Sequence, residues 1–187
     1  NARVIRRFEF SLLNYDIVQR IGGPLDNASF TVRPLGIQFQ SGDQLNLTVQ
    51  RRYDGPTADF DLVPGTTIAA GDYWWNQVGL QYSGSNVRTW GMSAAVVTGT
   101  FYDGDRTDLT LSGKLRLQPH VELSLDLSRN DVSLPSGAFV ANTMRFRGDY
   151  AFSPRLTATA FVQYDDQSDR AAVNARVRWT TSPGSDL

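Results

Sequence analysis

Cysteine is absent from the 187 residues, which removes disulfides, thiolate metal sites and cysteine nucleophiles together. Charge of one sign is also lacking. The 18 Lys and Arg against 19 Asp and Glu leave a net charge of −1, which argues against general affinity for nucleic acid. No run approaches the roughly 20 uninterrupted apolar residues of a membrane-spanning helix, and helical periodicity is nearly missing. A mean hydropathy of −0.31 would ordinarily suggest a soluble protein. That inference is unsafe for strands, because a membrane strand shows only every second residue to lipid. The opening "NARVIRRFEF" has neither an initiator methionine nor a charged-then-apolar leader, so the expectation is a removed signal peptide or an internal piece of a longer protein.

What is present is two-residue alternation. In "VELSLDLSRN", Val121, Leu123, Leu125 and Leu127 fall on one side, and Glu122, Ser124, Asp126 and Ser128 on the other. The same pattern predicts about ten strands, over 3–18, 28–40, 45–53, 73–83, 88–102, 107–117, 121–129, 140–152, 156–164 and 172–181. Most reach the nine or so residues that a tilted membrane strand needs. The second strand changes phase, from Phe30/Val32 to Leu35/Ile37/Phe39. Pro34 cannot donate to a ladder, so a β-bulge is expected there.

The connections carry the next signal. Those at 41–44, 84–87, 118–120 and 153–155 read as tight turns. The alternating ones, including the stretch "DGPTADFDLVPGTTIAAGD" and the loops "DGDR" and "NDVSLPSGAF", read as mostly longer. Up-and-down barrels of outer membranes sort their turns this way, and a Greek-key sandwich has no reason to. With the short turns at the bottom, Phe39, Tyr82, Trp90, Phe152 and Trp179 approach one rim. Tyr15, Phe30, Tyr53, Tyr73, Trp74, Tyr102, Phe139 and Tyr164 approach the other. Two aromatic belts around a band of Leu, Val, Ala and Met suit the two interfaces of a bilayer. The expected fold class is therefore all-β: an antiparallel up-and-down transmembrane β-barrel of about ten meandering strands, part of a larger barrel, forming one segment over 1–187 with no second domain. The leucines of "VELSLDLSRN" are expected to face lipid.

The stretches "PGTTIAAGDYWWNQVGLQYS", "GTFYDGDRTDLTLSG", "LSLDLSRNDVSLPSGAF", "DYAFSPRLTATAFVQYDDQSD" and "VNARVRWTTSPGSDL" resemble a family of bacterial outer-membrane proteins. In that family a carbohydrate-binding module of the family-9 type precedes a long β-barrel domain of unknown function. The resemblance covers nearly the whole chain and is strongest from about residue 99. It implies location in a Gram-negative-type cell outer membrane, with membrane lipid as a partner; lipopolysaccharide is the partner that acidic outside loops such as the one holding Asp165, Asp166 and Asp169 would meet through divalent cations. Two departures matter: no such module precedes Asn1, and the family continues past "PGSDL" into further strands. The chain therefore reads as a fragment of the barrel, and sugar binding falls on no residue in it.

Catalysis finds little support. His120 is the only histidine, sits in the turn "QPH", and has no base, orienter and nucleophile converging on it. Asp103, Asp105 and Asp108 of "DGDRTD" suggest a partial calcium loop, but the glycine and distal glutamate of a full loop are missing. Asp165, Asp166 and Asp169 read as a solvated loop tip. "SGK" at 112–114 lacks the upstream glycine of a phosphate loop. No cofactor or metal is expected.

The face opposite the leucines is the candidate site. Arg3, Arg7, Arg52, Lys114, Arg116, Arg145, Arg147, Arg176 and Arg178 outnumber Glu9, Glu122, Asp126 and Asp149 there. Such a wall is either a salt-bridge lattice stiffening a barrel interior or a cationic lining that favours anionic or glycan-like solutes. The lumen wall is read as Arg116, Glu122, Asp126, Arg145, Arg147, Arg176 and Arg178. Counting from "QPH" pairs Leu117 with Val121 and Arg116 with Glu122, and sets Asp126 level with Arg147. Arg178, with no acidic neighbour on 156–164, is expected to remain available. The expected function is a non-catalytic barrel segment serving solute or glycan passage or surface binding. The rival is a soluble or periplasmic all-β protein that binds lipid or glycan in an apolar interior.

Overall fold

The computed structural model describes residues 4–19, 21, 23, 25–117 and 119–180. Twelve strands follow in order: β1 (Ile5–Gln19), β2 (Leu25–Phe39), β3 (Gln44–Asp54), β4 (Phe60–Val63), β5 (Thr66–Ile68), β6 (Tyr73–Ser83), β7 (Trp90–Phe101), β8 (Gly104–Leu117), β9 (Val121–Leu134), β10 (Gly137–Ser153), β11 (Leu156–Asp165) and β12 (Arg170–Trp179). Ten of them form one antiparallel up-and-down sheet in the order β1-β2-β3-β6-β7-β8-β9-β10-β11-β12, while β4 and β5 pair separately. All ten expected strands are present. The sheet is not closed among the described residues, since β1 and β12 are its two edges.

The expected bulge is present. Between Val32 opposite Val49 and Leu35 opposite Leu47, β2 spends one extra residue across Arg33–Pro34. That residue restores the phase, so Phe30, Val32, Leu35 and Ile37 share one face although their spacing in sequence changes.

Register assigns the two faces. Leu109, Leu111, Leu115 and Leu117 of β8 stand opposite Arg129, Leu127, Leu123 and Val121 of β9. On β10, Met144, Phe146 and Tyr150 continue the row, and Val162, Val173 and Val177 complete it on β11 and β12. This is the back face. Leu109, Leu111, Leu125, Met144, Val173 and Val177 are exposed on it, and Leu123 and Phe146 are half-buried. The front face carries Lys114, Arg116, Glu122 and Asp126.

Two connections are shorter than expected. β7 and β8 reverse at Tyr102–Asp103, with Phe101 opposite Gly104. β9 and β10 reverse at Pro135–Ser136, with Leu134 opposite Gly137. Residues read as loop continue the ladder because each hydrogen-bonded pair extends a register already set below. At these two positions the upper end therefore gains strand overhang in place of a loop, and the long upper connection is the one between β3 and β6. Gly104 is required where strands meet closely, since a Cβ there would stand 2.0 Å from the Ser133 carbonyl oxygen.

The stretch of about twenty residues is likewise not an open loop. It holds the β4–β5 hairpin, folded onto the upper front face. Ile68 of β5 is 2% exposed and packs with Trp75, Phe101, Val132 and Leu134, flanked by Leu62, Tyr73, Tyr102 and Phe139. Tyr73, Tyr102 and Phe139 thus belong to this cluster and not to an aromatic belt on the back face. Tyr102 adopts φ +51°, which costs about 1 kcal/mol or more. Rings of Phe101, Trp75 and Tyr73 at 4.7, 4.8 and 5.0 Å, and a 2.6 Å hydrogen bond from its hydroxyl to Asp54 Oδ2, hold it there. Burial, then Asp54, push the Tyr102 hydroxyl pKa well up. The hairpin tip meets the β9–β10 turn, where a Cβ on Gly137 would lie 2.9 Å from Thr66 Oγ1.

Candidate functional site

The charged front face is built from three level rows. Arg116, Glu122, Asp149, Thr159 and Arg176 stand side by side across β8 to β12. Above them lie Lys114, Ser124, Arg147, Phe161 and Asn174. The next row is Ser112, Asp126, Arg145, Gln163 and Ala172. All seven residues read as wall from the sequence therefore share one face. Arg178 stands beside Thr157, one row lower.

Within the rows the charges are unevenly satisfied. Glu122 takes two cations, Lys114 Nζ at 2.5 Å and Arg116 Nε at 3.2 Å. Arg116 also donates to the Asn86 carbonyl at 2.7 Å, which anchors it to the turn below β6. Arg147 binds Asp149 through Nε at 2.8 Å, and Thr159 donates to the same carboxylate at 2.6 Å. These groups are partly exposed, so each pair contributes at most about 1 kcal/mol. Arg145 and Arg176 make no ion pair or side-chain hydrogen bond among the described residues.

Two expectations about this wall need correction. Asp126 is level with Arg145, and Arg147 is opposite Ser124. The two-residue turn at Pro135–Ser136 sets that register, where counting through an assumed loop missed by one pair of residues. Arg178 is not free, because it has an interaction partner. The pairing of Arg116 with Glu122 and of Leu117 with Val121 is as expected. Arg3 lies outside the described residues.

The neighbouring sector is different. β6 and β7 contain no charged residue at all. Their front face, with that of β3, presents Asn46 beside Gln81, Thr48 beside Gly79, and Gln50 beside Gln77. The sector of β3, β6 and β7 from Asn46 to Gln50 is thus amide and hydroxyl, while that of β8 to β12 is rich in cations.

The remaining candidates have structural partners. His120 closes its turn, with Nδ1 2.9 Å from the Ala151 carbonyl oxygen and its amide 3.2 Å from the Leu117 carbonyl. Asp105 and Asp108 project to opposite faces of β8, so they do not converge on one ion. Asp108 instead receives Arg106 Nε at 2.8 Å. Asp166 accepts the Asn142 amide at 2.6 Å, and this bond holds its carboxyl below the usual range. Asp165 caps the turn through the amides of Gln167 and Ser168.

The back face ends in aromatic rims. At the upper end Trp74 stacks on Phe30, contacts Tyr53 and lies under the Arg51 guanidinium at 4.9 Å. At the lower end Arg88 lies 5.8 Å over Trp90. Beyond the upper rim the back face turns polar, with Arg129, Asp131 and Ser133 exposed on β9. The upper cluster was missed in the sequence, although its signal was there. Apolar residues change from odd positions (121–127) to Val132 and Leu134 with no proline between. No family model, curated protein or solved structure matches the chain.

Proposed function

We propose that this sheet is the wall of an outer-membrane β-barrel, with its back face in lipid and its front face lining a water-filled lumen. The barrel serves passage or binding of solutes and performs no catalysis. The β4–β5 hairpin folds into the upper mouth and narrows it.

The observation that carries this reading is the exchange of polarity along β9, a strand in unbroken register with β8 and β10. Below, the back face is apolar and the front charged; above, the back face is polar and the front apolar. A strand leaving a bilayer for water, with a hairpin packed inside its mouth, requires that exchange. The height of the band supports it further. Leu109 to Leu117 spans about 26 Å of strand, or roughly 20 Å at the tilt of membrane barrels, close to the apolar band of about 25 Å on known ones. Aromatic and cationic side chains at both rims suit the interfaces. Closure of the wall would satisfy the free edges of β1 and β12, which lipid does not tolerate.

Trp74 and Trp75 test this reading, because neighbours in sequence point to opposite faces and are 44% and 6% exposed. In vesicles containing brominated lipid, a variant keeping only Trp74 is expected to be strongly quenched, and one keeping only Trp75 barely quenched. Equal quenching, or a protein that stays monomeric in plain buffer without detergent, would favour the soluble reading instead.

A further inference from the structure

We infer that the front face of β3 and β6, just below the β4–β5 hairpin, binds uncharged polyhydroxylated solutes of the oligosaccharide type. This rests on the front face being a water-filled wall, and it names the solute class that one sector of that wall fits.

The track is built from three rows in unbroken register. Gln50 stands beside Gln77, Thr48 beside Gly79, and Asn46 beside Gln81. Together they cover about 13 Å of strand, which suits an extended chain of sugar rings and exceeds a single one. Its floor is low. Gly99 and Ala95 continue the first and last rows on β7, and Gly36 adjoins Asn46 on β2. A Cβ on Gly36 would lie 3.0 Å from Asn46 Oδ1, and one on Gly79 2.7 Å from Thr48 Oγ1, so both side chains lean over a glycine.

Hydrogen bonding then selects the ligand. The side chains of Asn46, Gln50, Gln77 and Gln81 make no hydrogen bond among the described residues, although Gln77 is only 6% exposed. Among the described residues, two buried side-chain nitrogens lack a partner, and they flank the track. Trp75 Nε1 belongs to the next residue above Gln77 on the same face of β6, and Arg33 Nε to the bulge across from Thr48. Buried polar groups are ordinarily paired, so bonding capacity that the protein leaves unused is concentrated here. Each carboxamide offers both donors and an acceptor, and a sugar hydroxyl answers both. A phosphate or carboxylate only accepts, and would set its oxygens against those of the carboxamides. The flanking charges come as opposite pairs and favour neither sign. Arg33 stands 3.9 Å from Glu9 on one side, and Arg106 2.8 Å from Asp108 on the other.

Fluorescence of the full chain in lipid vesicles, in the variant keeping only Trp75, tests this with maltotriose, cellotriose and xylotriose. At least one is expected to change Trp75 emission saturably, and equally at low and high sodium chloride. The variant keeping only Trp74 should not respond. Gln50→Leu/Gln77→Leu should weaken binding roughly tenfold, the effect of losing two neutral hydrogen bonds. Gln81→Ala, at an exposed position of the same track, should weaken it roughly threefold and leaves the buried floor untouched. No saturable response to any of the three, an equal response to inorganic pyrophosphate, or unchanged affinity in either variant would overturn the inference. Quenching of Trp74 by brominated lipid reports separately on the membrane reading. Quenching without a sugar response removes the sugar site alone, and a sugar response without quenching keeps the site while removing the bilayer.

Discussion

The lower and upper halves of β9 belong to one strand, one register and one pair of faces, yet their side chains are sorted in opposite ways. From Val121 to Leu127 the apolar residues lie behind and the carboxylates in front. From Arg129 to Leu134 the charged residues lie behind, and Val132 and Leu134 are buried in front. β2 makes an instructive contrast, since its apolar spacing also changes phase. There the bulge at Arg33–Pro34 rotates the chain and returns the apolar residues to the back face. On β9 no bulge intervenes, so the phase change moves the apolar residues to the other face. A shift in sequence periodicity thus has two meanings: a kinked strand in constant surroundings, or a straight strand whose surroundings change.

The largest effect that can break this comparison comes from charge placed on the front face at two heights. Val132→Asp buries an unpaired carboxylate under the β4–β5 hairpin and should cost about 4 kcal/mol or more. Ser128→Asp, on the same strand and face but four residues lower, should change stability by less than about 1 kcal/mol. Urea unfolding of the two variants in lipid vesicles measures both. Equal losses would mean that the upper cluster is no different from the wall beneath it.

A reciprocal test probes the back face. Leu125→Arg lies within the apolar band and should cost about 2–4 kcal/mol in a bilayer. Ser133→Arg, above the band on the same face, should stay within about 0.5 kcal/mol. Similar costs for both in the same unfolding measurement would place the polarity boundary elsewhere.

The smallest effect concerns the lower turns, where the comparison requires water again. Asp43 accepts hydrogen bonds from Ser41 at 2.7 Å, Arg88 at 3.0 Å and the Ser85 amide at 2.8 Å, and these hold its pKa at about 2 against an ordinary 3.8. Since the folded value is the lower one, the stabilisation is complete above pH 4 or so and is lost as pH falls through about 2. The Ser85 amide resonance should titrate with a midpoint near 2, and Asp43→Asn should abolish the transition. A midpoint at or above 3.8 would mean that the turn lacks these bonds.

Legibility in the sequence followed the range of the interactions. Alternation is local, so all ten sheet strands could be read, and Pro34 announced its own bulge. The wall residues could be read as one face, and Arg116 could be paired with Glu122 because only a short turn separates them. The partner of Asp126 could not be read correctly, since "NDVSLPSGAF" has the composition of a loop but is held in the ladder by its flanking pairs. Tyr73 and Phe139 carried no mark of which face they would occupy.

The sequence by itself determined that the chain is β throughout, which residues alternate together, and where β2 must kink, because these depend on side-chain period and on the missing amide of one proline. The tertiary structure decided the rest: that β8–β10 run on into two-residue turns, that a hairpin from residues 60–68 covers their upper front face, and that Asp126 stands level with Arg145 and not with Arg147. Those outcomes depend on which strands lie side by side and at what level. Hydrogen bonds and packing between residues far apart in the chain establish that level, and local alternation is blind to it.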